Sequence, residues 1–254
     1  MVAQTIPALI GGWDRRDALD LMPPQDAVIL DNWFPGTGRV TLRRGYTQHA
    51  TGLGTSNVDT IAEYNKGTTR KLLAGANGNI YDATTSSISS LKSSLSVNRW
   101  ETVNFNGSMG WVNGTDTPLV YDGSSFANMT VSGTGLTVTN LRGIMVHQSH
   151  TFFWENNSQD FWYSAVNTLG GTITKFPLSR VGAFGGNLVC AGSWNVAGGS
   201  EEWVGGGIGN DLAVFVMSSG DTIVYEGDNP ASNWNLVGVY RIPDPLDIRA
   251  IAKV

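Results

Sequence analysis

The sequence carries six glutamates (Glu63, Glu101, Glu155, Glu201, Glu202 and Glu226) and fifteen aspartates. Paired carboxylates can hydrolyse a glycosidic bond, provided that two of them converge at a defined separation. Three of these acids recur behind a tyrosine, in Tyr81-Asp82, Tyr121-Asp122 and Tyr225-Glu226. Recurrence suits a carboxylate that caps a turn better than it suits a single active site. His147-Gln148-Ser149-His150 sets two histidines three apart, a spacing that could hold a metal on a helix. Here it falls between two apolar runs, so a turn is the expectation. The lone Cys190 allows no intramolecular disulfide and no zinc site of its own, and its apolar neighbours predict a buried small hydrophobe. There is no Gly-Lys-Ser/Thr phosphate loop, and Gly205-Gly206-Gly207-Ile208-Gly209 reads as a flexible loop, not as a strand-to-helix turn. No catalytic, cofactor-binding or metal-binding residues are predicted, and no cofactor.

The elements that would position these groups repeat. Four apolar runs end in an aromatic followed by an acid or a small residue: Asn79-Ile80-Tyr81-Asp82, Leu119-Val120-Tyr121-Asp122, Phe161-Trp162-Tyr163-Ser164 and Ile223-Val224-Tyr225-Glu226. Their tyrosines are separated by 40, 42 and 62 residues, the last interval being widened by a Gly-rich stretch at 198–209. Upstream of each lies a second strand (71–74, 110–113, 151–154 and 212–217), joined to it by turn-forming residues such as Asn77-Gly78-Asn79 and Ser219-Gly220-Asp221. A third precedes it, at 58–62, 100–105, 141–146 and 187–191. A period near forty residues built of strands predicts an all-β chain of β-propeller-like repeats. A plain sandwich is the competing arrangement. The expected blades are 55–95, 96–136, 137–182 and 183–254, after an extended, irregular N-terminal segment at 1–54. The one helical candidate, 17–33, is broken by Pro23-Pro24.

With 254 residues, 41% of them hydrophobic, the chain can bury a substantial core. Its charged fraction is 15% and its net charge −5, which argues against gripping nucleic acid through a basic patch but leaves room for DNA to slide past. No stretch predicts a secretion signal or membrane insertion. The sequons at Asn106, Asn113, Asn128 and Asn156 therefore read as turn chemistry. Ser158-Gln159-Asp160-Phe161-Trp162 is similar to the Asp-box of sialidases, without its glycine.

Five of the nine tryptophans, Trp13, Trp33, Trp194, Trp203 and Trp234, stand in segments that read as irregular, where aromatics fill a core, stack on sugars or anchor an interface. Trp13 and Trp33 belong to Gly11-Gly12-Trp13 and to Met22-Pro23-Pro24-Gln25-Asp26-Ala27-Val28-Ile29-Leu30-Asp31-Asn32-Trp33-Phe34-Pro35, followed by Arg39-Val40-Thr41-Leu42-Arg43-Arg44-Gly45-Tyr46. This opening resembles that of the tail nozzle proteins of short-tailed phages, the tail tubular protein B and tail stabilisation proteins. A second similar region runs from Gly185 through Trp194 and from Asp211 to Ile242.

The resemblance implies a structural virion protein and no enzyme. It implies a homo-hexameric ring below the portal and adaptor, next to tail fibre or needle proteins, assembled in the host cytoplasm and conducting viral DNA at ejection. Trp13, Trp33 and Phe34 would then anchor contacts between subunits, with Arg39, Arg43 and Arg44 donating charge-assisted hydrogen bonds to a neighbour. Members of that family extend further, and 248–254 reads as the start of another strand, so the propeller is expected to be incomplete at its C-terminus. A carbohydrate-binding or carbohydrate-cleaving propeller of a receptor-binding tail component is the alternative.

Overall fold

The computed structural model describes residues 8–195 and 211–249. The chain is all-β, and its only helical turns among the described residues are two three-residue 3-10 segments, Val138–Asn140 and Leu178–Arg180. It divides into two compact units between His49 and Ala50.

The first unit holds β1 (Gly12–Trp13) paired parallel with β2 (Asp26–Ala27), and a hairpin of β3 (Trp33–Gly36) and β4 (Arg39–Leu42). The second opens with β5 (Val58–Lys66), β6 (Thr69–Ala76), β7 (Asn79–Asp82) and β8 (Ser89–Lys92), an antiparallel meander in chain order. The next sheet repeats the plan with β9 (Glu101–Phe105), β10 (Ser108–Val112), β11 (Leu119–Tyr121) and β12 (Phe126–Asn128). After β13 (Val131–Ser132) comes a third, of β14 (Leu141–His147), β15 (His150–Glu155) and β16 (Phe161–Tyr163). Then β17 (Gly171–Thr172) returns to pair with β13, and β18 (Thr174–Phe176) completes the sheet. The fourth sheet is β19 (Leu188–Asn195), β20 (Asp211–Met217), β21 (Asp221–Asn229) and β22 (Asn233–Arg241). Each sheet is thus the blade-like unit of a propeller-like repeat, with the recurring tyrosine (Tyr81, Tyr121, Tyr163 or Tyr225) on the third strand.

Local chemistry explains the repeat. The β6–β7 turn places Asn77 and Gly78 at φ 50° and 70°, the left-handed region a two-residue hairpin needs, and Asn106-Gly107 does the same between β9 and β10. Along β5, buried Thr60, Ala62 and Tyr64 alternate with exposed Asp59, Ile61 and Glu63, the period of two that gives a strand one core face. Three apolar clusters lie between consecutive sheets. Tyr64 and Leu73 meet Trp100, Trp111 and Tyr121; Val112 and Met129 meet Phe153 and Trp162; Phe152 and Phe161 meet Phe215 and Tyr225. Each fully buried side chain of this size contributes about 1.5–3 kcal/mol.

Polar side chains stitch neighbouring sheets where they meet. Thr60 Oγ1 donates to Asn98 O and accepts from Trp100 N, both at 2.7 Å. The Asp116 carboxylate accepts from the amides of Ser96 and Val97 and from Asn113 Nδ2.

Three expectations need correction. Trp194 and Trp234 lie in the regular strands β19 and β22, not in irregular segments. Ile248 and Arg249 form a turn, not the start of a strand, while 250–254 lies outside the described residues. The outer segment of each repeat is a true fourth strand. The Gly-rich stretch at 198–209, with Glu201, Glu202 and Trp203, also falls outside the described residues.

Candidate functional site

In the described part of the first unit only Gly12 and Ala27 are buried. Segment 8–49 therefore has no apolar core of its own. Its order comes from polar and backbone bonds. Gly11 N donates to Gln25 O and Asp14 N to Ala27 O, while the Trp13 indole donates to Val28 O at 3.0 Å. The Asp14 carboxylate accepts from the amides of Arg16 and Asp17, which hold its pKa below the ordinary aspartate value. Arg43 N donates to Asn32 O and extends the β3–β4 hairpin by one bond.

This framework displays the predicted interface residues. Trp13 is 60% exposed, Trp33 43% and Phe34 60%. Trp13 and Trp33 line one concavity of about 730 Å³ with Val28, Ile29 and Pro35. Phe34, the next residue along β3, faces the other side of the hairpin. Arg39, Arg43 and Arg44 are exposed, and none of the three forms an ion pair among the described residues. Arg43 lies 5.9 Å from the Tyr46 ring. The structure thus groups Trp13 with Trp33, and sets Phe34 and the arginines elsewhere on the same unit.

The sequence's chemical candidates have structural occupations. His147 and His150 face each other across a two-residue hairpin whose turn, Gln148-Ser149, has φ of 45° and 65°. His147 is buried; its Nε2 donates to Gly227 O at 3.0 Å, and its Nδ1 accepts from Ser193 Oγ at 2.9 Å. Burial pushes its pKa below that of an ordinary histidine, against the Gly227 carbonyl and Asp211, which pull it up. His150 Nδ1 donates to Ser164 O at 2.6 Å. Among the described residues no group of three or more His, Cys, Asp or Glu is arranged to hold a metal ion. Burial raises the Cys190 thiol to about 11.

The carboxylates behave similarly. Asp122 caps a turn by accepting from the amides of Ser125 and Ser124 and the Ser124 hydroxyl, bonds that lower its pKa to about 2. Asp82 takes Lys71 Nζ at 2.9 Å and the Thr84 amide. Glu226 departs from this pattern: it lies within β21, where the strand continues to Asn229. Glu155 accepts from the Trp162 indole and the Thr137 amide, and Asp160 pairs with Lys175.

One charged cluster had no signal in the sequence. Arg249 donates at 2.8 Å to Glu101 Oε1, Asp59 O and Trp100 O, reaching the first strands of the first two sheets. Asp247 pairs with Arg99 at 2.6 Å and Arg142 at 3.4 Å. Partial desolvation pushes its carboxyl up, but the Ile248 amide and the two arginines outweigh that, and its pKa is lowered. Between them Ile248 is buried in the cluster shared by the third and fourth sheets. The turn at 247–249 thus ties together all four sheets.

No family model matches the chain, and no curated protein matches it.

Proposed function

We propose that this chain is a structural subunit of a tailed-phage tail nozzle, assembling through its N-terminal unit into a ring that conducts DNA during ejection. The observation that carries the reading is the coreless first unit. It spends forty residues displaying Trp13, Trp33, Phe34, Leu42 and Tyr46 while burying almost nothing. Exposed aromatics of this density are the composition of interface anchors. The same stretch carries the resemblance to nozzle proteins, and a ring supplies the neighbour that would cover it. The acidic, weakly charged chain suits a lumen that repels phosphate instead of binding it.

In this reading the repeat sheets form the wall, and the ring is a homo-hexamer docked on the adaptor. Trp33→Ala should weaken assembly by about 2 kcal/mol or more, the range of an aromatic anchor, without unfolding the protein. Sedimentation velocity alongside circular dichroism tests it: dissociated, folded chains are the expected result. An unfolded Trp33→Ala chain would make Trp33 a packing residue of its own subunit.

A further inference from the structure

The outermost strand of the fourth sheet differs from its three counterparts. β8, β12 and β18 have four, three and three residues, whereas β22 has nine and runs the full length of β21. Its outer edge has no partner strand among the described residues. An edge of that length is ordinarily guarded by lysine, proline or inward charge, because its unpaired amides and carbonyls template pairing with another chain. In Asn-Trp-Asn-Leu-Val-Gly-Val-Tyr-Arg the only charge is the terminal Arg241, and Leu236, Val237, Val239 and Tyr240 are exposed. A single bulge near Val237 is the only irregularity along its middle.

The first unit offers a segment of similar length. From Arg39 through Tyr46 the chain runs without a turn or bend, first as β4 and then, past the Arg43 amide that donates to Asn32 O, outside any sheet. β4 is hydrogen-bonded on one edge only, to β3, while β3 contains Pro35, which has no amide to donate. Charge selects the direction of pairing. Segment 33–46 has three arginines and no acid. At the C-terminal end of β22 Asp221 is buried opposite Arg241, and the exposed Asp244 is matched by the exposed Arg241, whereas Glu226, opposite Asn235, and Asp228, which accepts from Asn233, leave the N-terminal end acidic. An antiparallel strand brings Arg43 and Arg44 to that end, whereas a parallel one carries them towards Arg241.

We propose that segment 39–46 of one copy adds antiparallel to the β22 edge of a second copy, making β22 the acceptor edge of the contact between subunits. The inference rests on the assembly reading above and names its acceptor. The contact is head-to-tail, since donor and acceptor are different surfaces, and such contacts close into rings or continue as filaments. Backbone hydrogen bonds hold the added strand, and the exposed apolar residues of the two partners cover one another.

The test uses two full-length chains of different tag mass, Leu42→Cys in one and Val237→Cys in the other, mixed and treated with a short thiol–thiol linker. Native Cys190 is buried with a raised pKa and stays silent. The expected product joins the two tags, and Arg43→Glu with Arg44→Glu in the donor should weaken it about tenfold by setting like charges together. Linkage between two Val237→Cys chains would overturn the proposal in favour of a two-fold β22 pair. Linkage within a double-variant chain would overturn it in favour of a strand returning to its own sheet. Rings that form without any link would overturn this contact but leave the assembly reading standing. Chains that remain monomeric at every concentration would sink both.

Discussion

Replacing Thr60 by valine removes one hydroxyl and nearly no volume, yet that hydroxyl joins the first two sheets. It donates to Asn98 O and accepts from Trp100 N at 2.7 Å each, with Thr60 3% and Trp100 1% exposed. Valine leaves a buried amide and a part-buried carbonyl without this partner, at about 1–3 kcal/mol apiece and less for the carbonyl. The added methyl restores about 0.8 kcal/mol of apolar burial. The expected net loss is about 2–4 kcal/mol, read as a lower midpoint in guanidinium unfolding followed by tryptophan fluorescence. Thr60→Ser keeps both bonds and should lose only about 1 kcal/mol for the missing methyl. The Trp100 amide should also exchange faster in Thr60→Val than in Thr60→Ser. If valine costs no more than serine, the hydroxyl does not join the sheets and the reasoning fails.

Other perturbations probe separate parts of the account. Arg249→Ala removes three hydrogen bonds, but its side chain is 40% exposed and solvent screens the ion pair, so about 1–2 kcal/mol is expected in the same unfolding assay. His147 is buried in its neutral form, so its folded pKa lies below its unfolded value of about 6.5. Its contribution to stability is complete above that pH and lost as pH falls through the folded pKa; melting temperature should fall between pH 7 and 5 more steeply in the native chain than in His147→Gln. Gly227 stands at φ 128°, and a Cβ there would clash with the Asn233 carbonyl. Gly227→Ala should therefore disrupt the β21–β22 pairing and displace the His147 bond, seen as lost amide protection in β22.

The sequence displayed the inner three strands of each sheet because they are apolar, regularly spaced and separated by residues that accept positive φ, such as Asn77-Gly78. It hid the fourth strands of the first three sheets for a physical reason. With three or four residues and one weakly buried face, β8, β12 and β18 have no periodicity to read. β22 escaped differently: Trp234 anchors one end against Tyr225 at 5.3 Å, while apolar side chains stand exposed further along, so no clean alternation marks a strand. The turn at His147-Gln148-Ser149-His150 was readable from its place between apolar runs. The bonds that occupy the histidines were not, since Ser193 and Gly227 are distant in sequence. Arg249 likewise meets Glu101 across 148 positions, a distance over which no local pattern carries information. In the first unit, residue type and setting singled out Trp13 and Trp33 as interface candidates. Their common concavity depends on the bend through 14–32, which periodicity does not encode.

The central claim is assembly through the N-terminal unit, and cryo-electron microscopy of the purified chain, alone and with a portal adaptor, tests it most directly. The account predicts a closed ring of β-sheet subunits around an open axial channel, with segment 8–49 lying between neighbours. A solitary subunit, or a ring in which that segment projects into solvent, would contradict it.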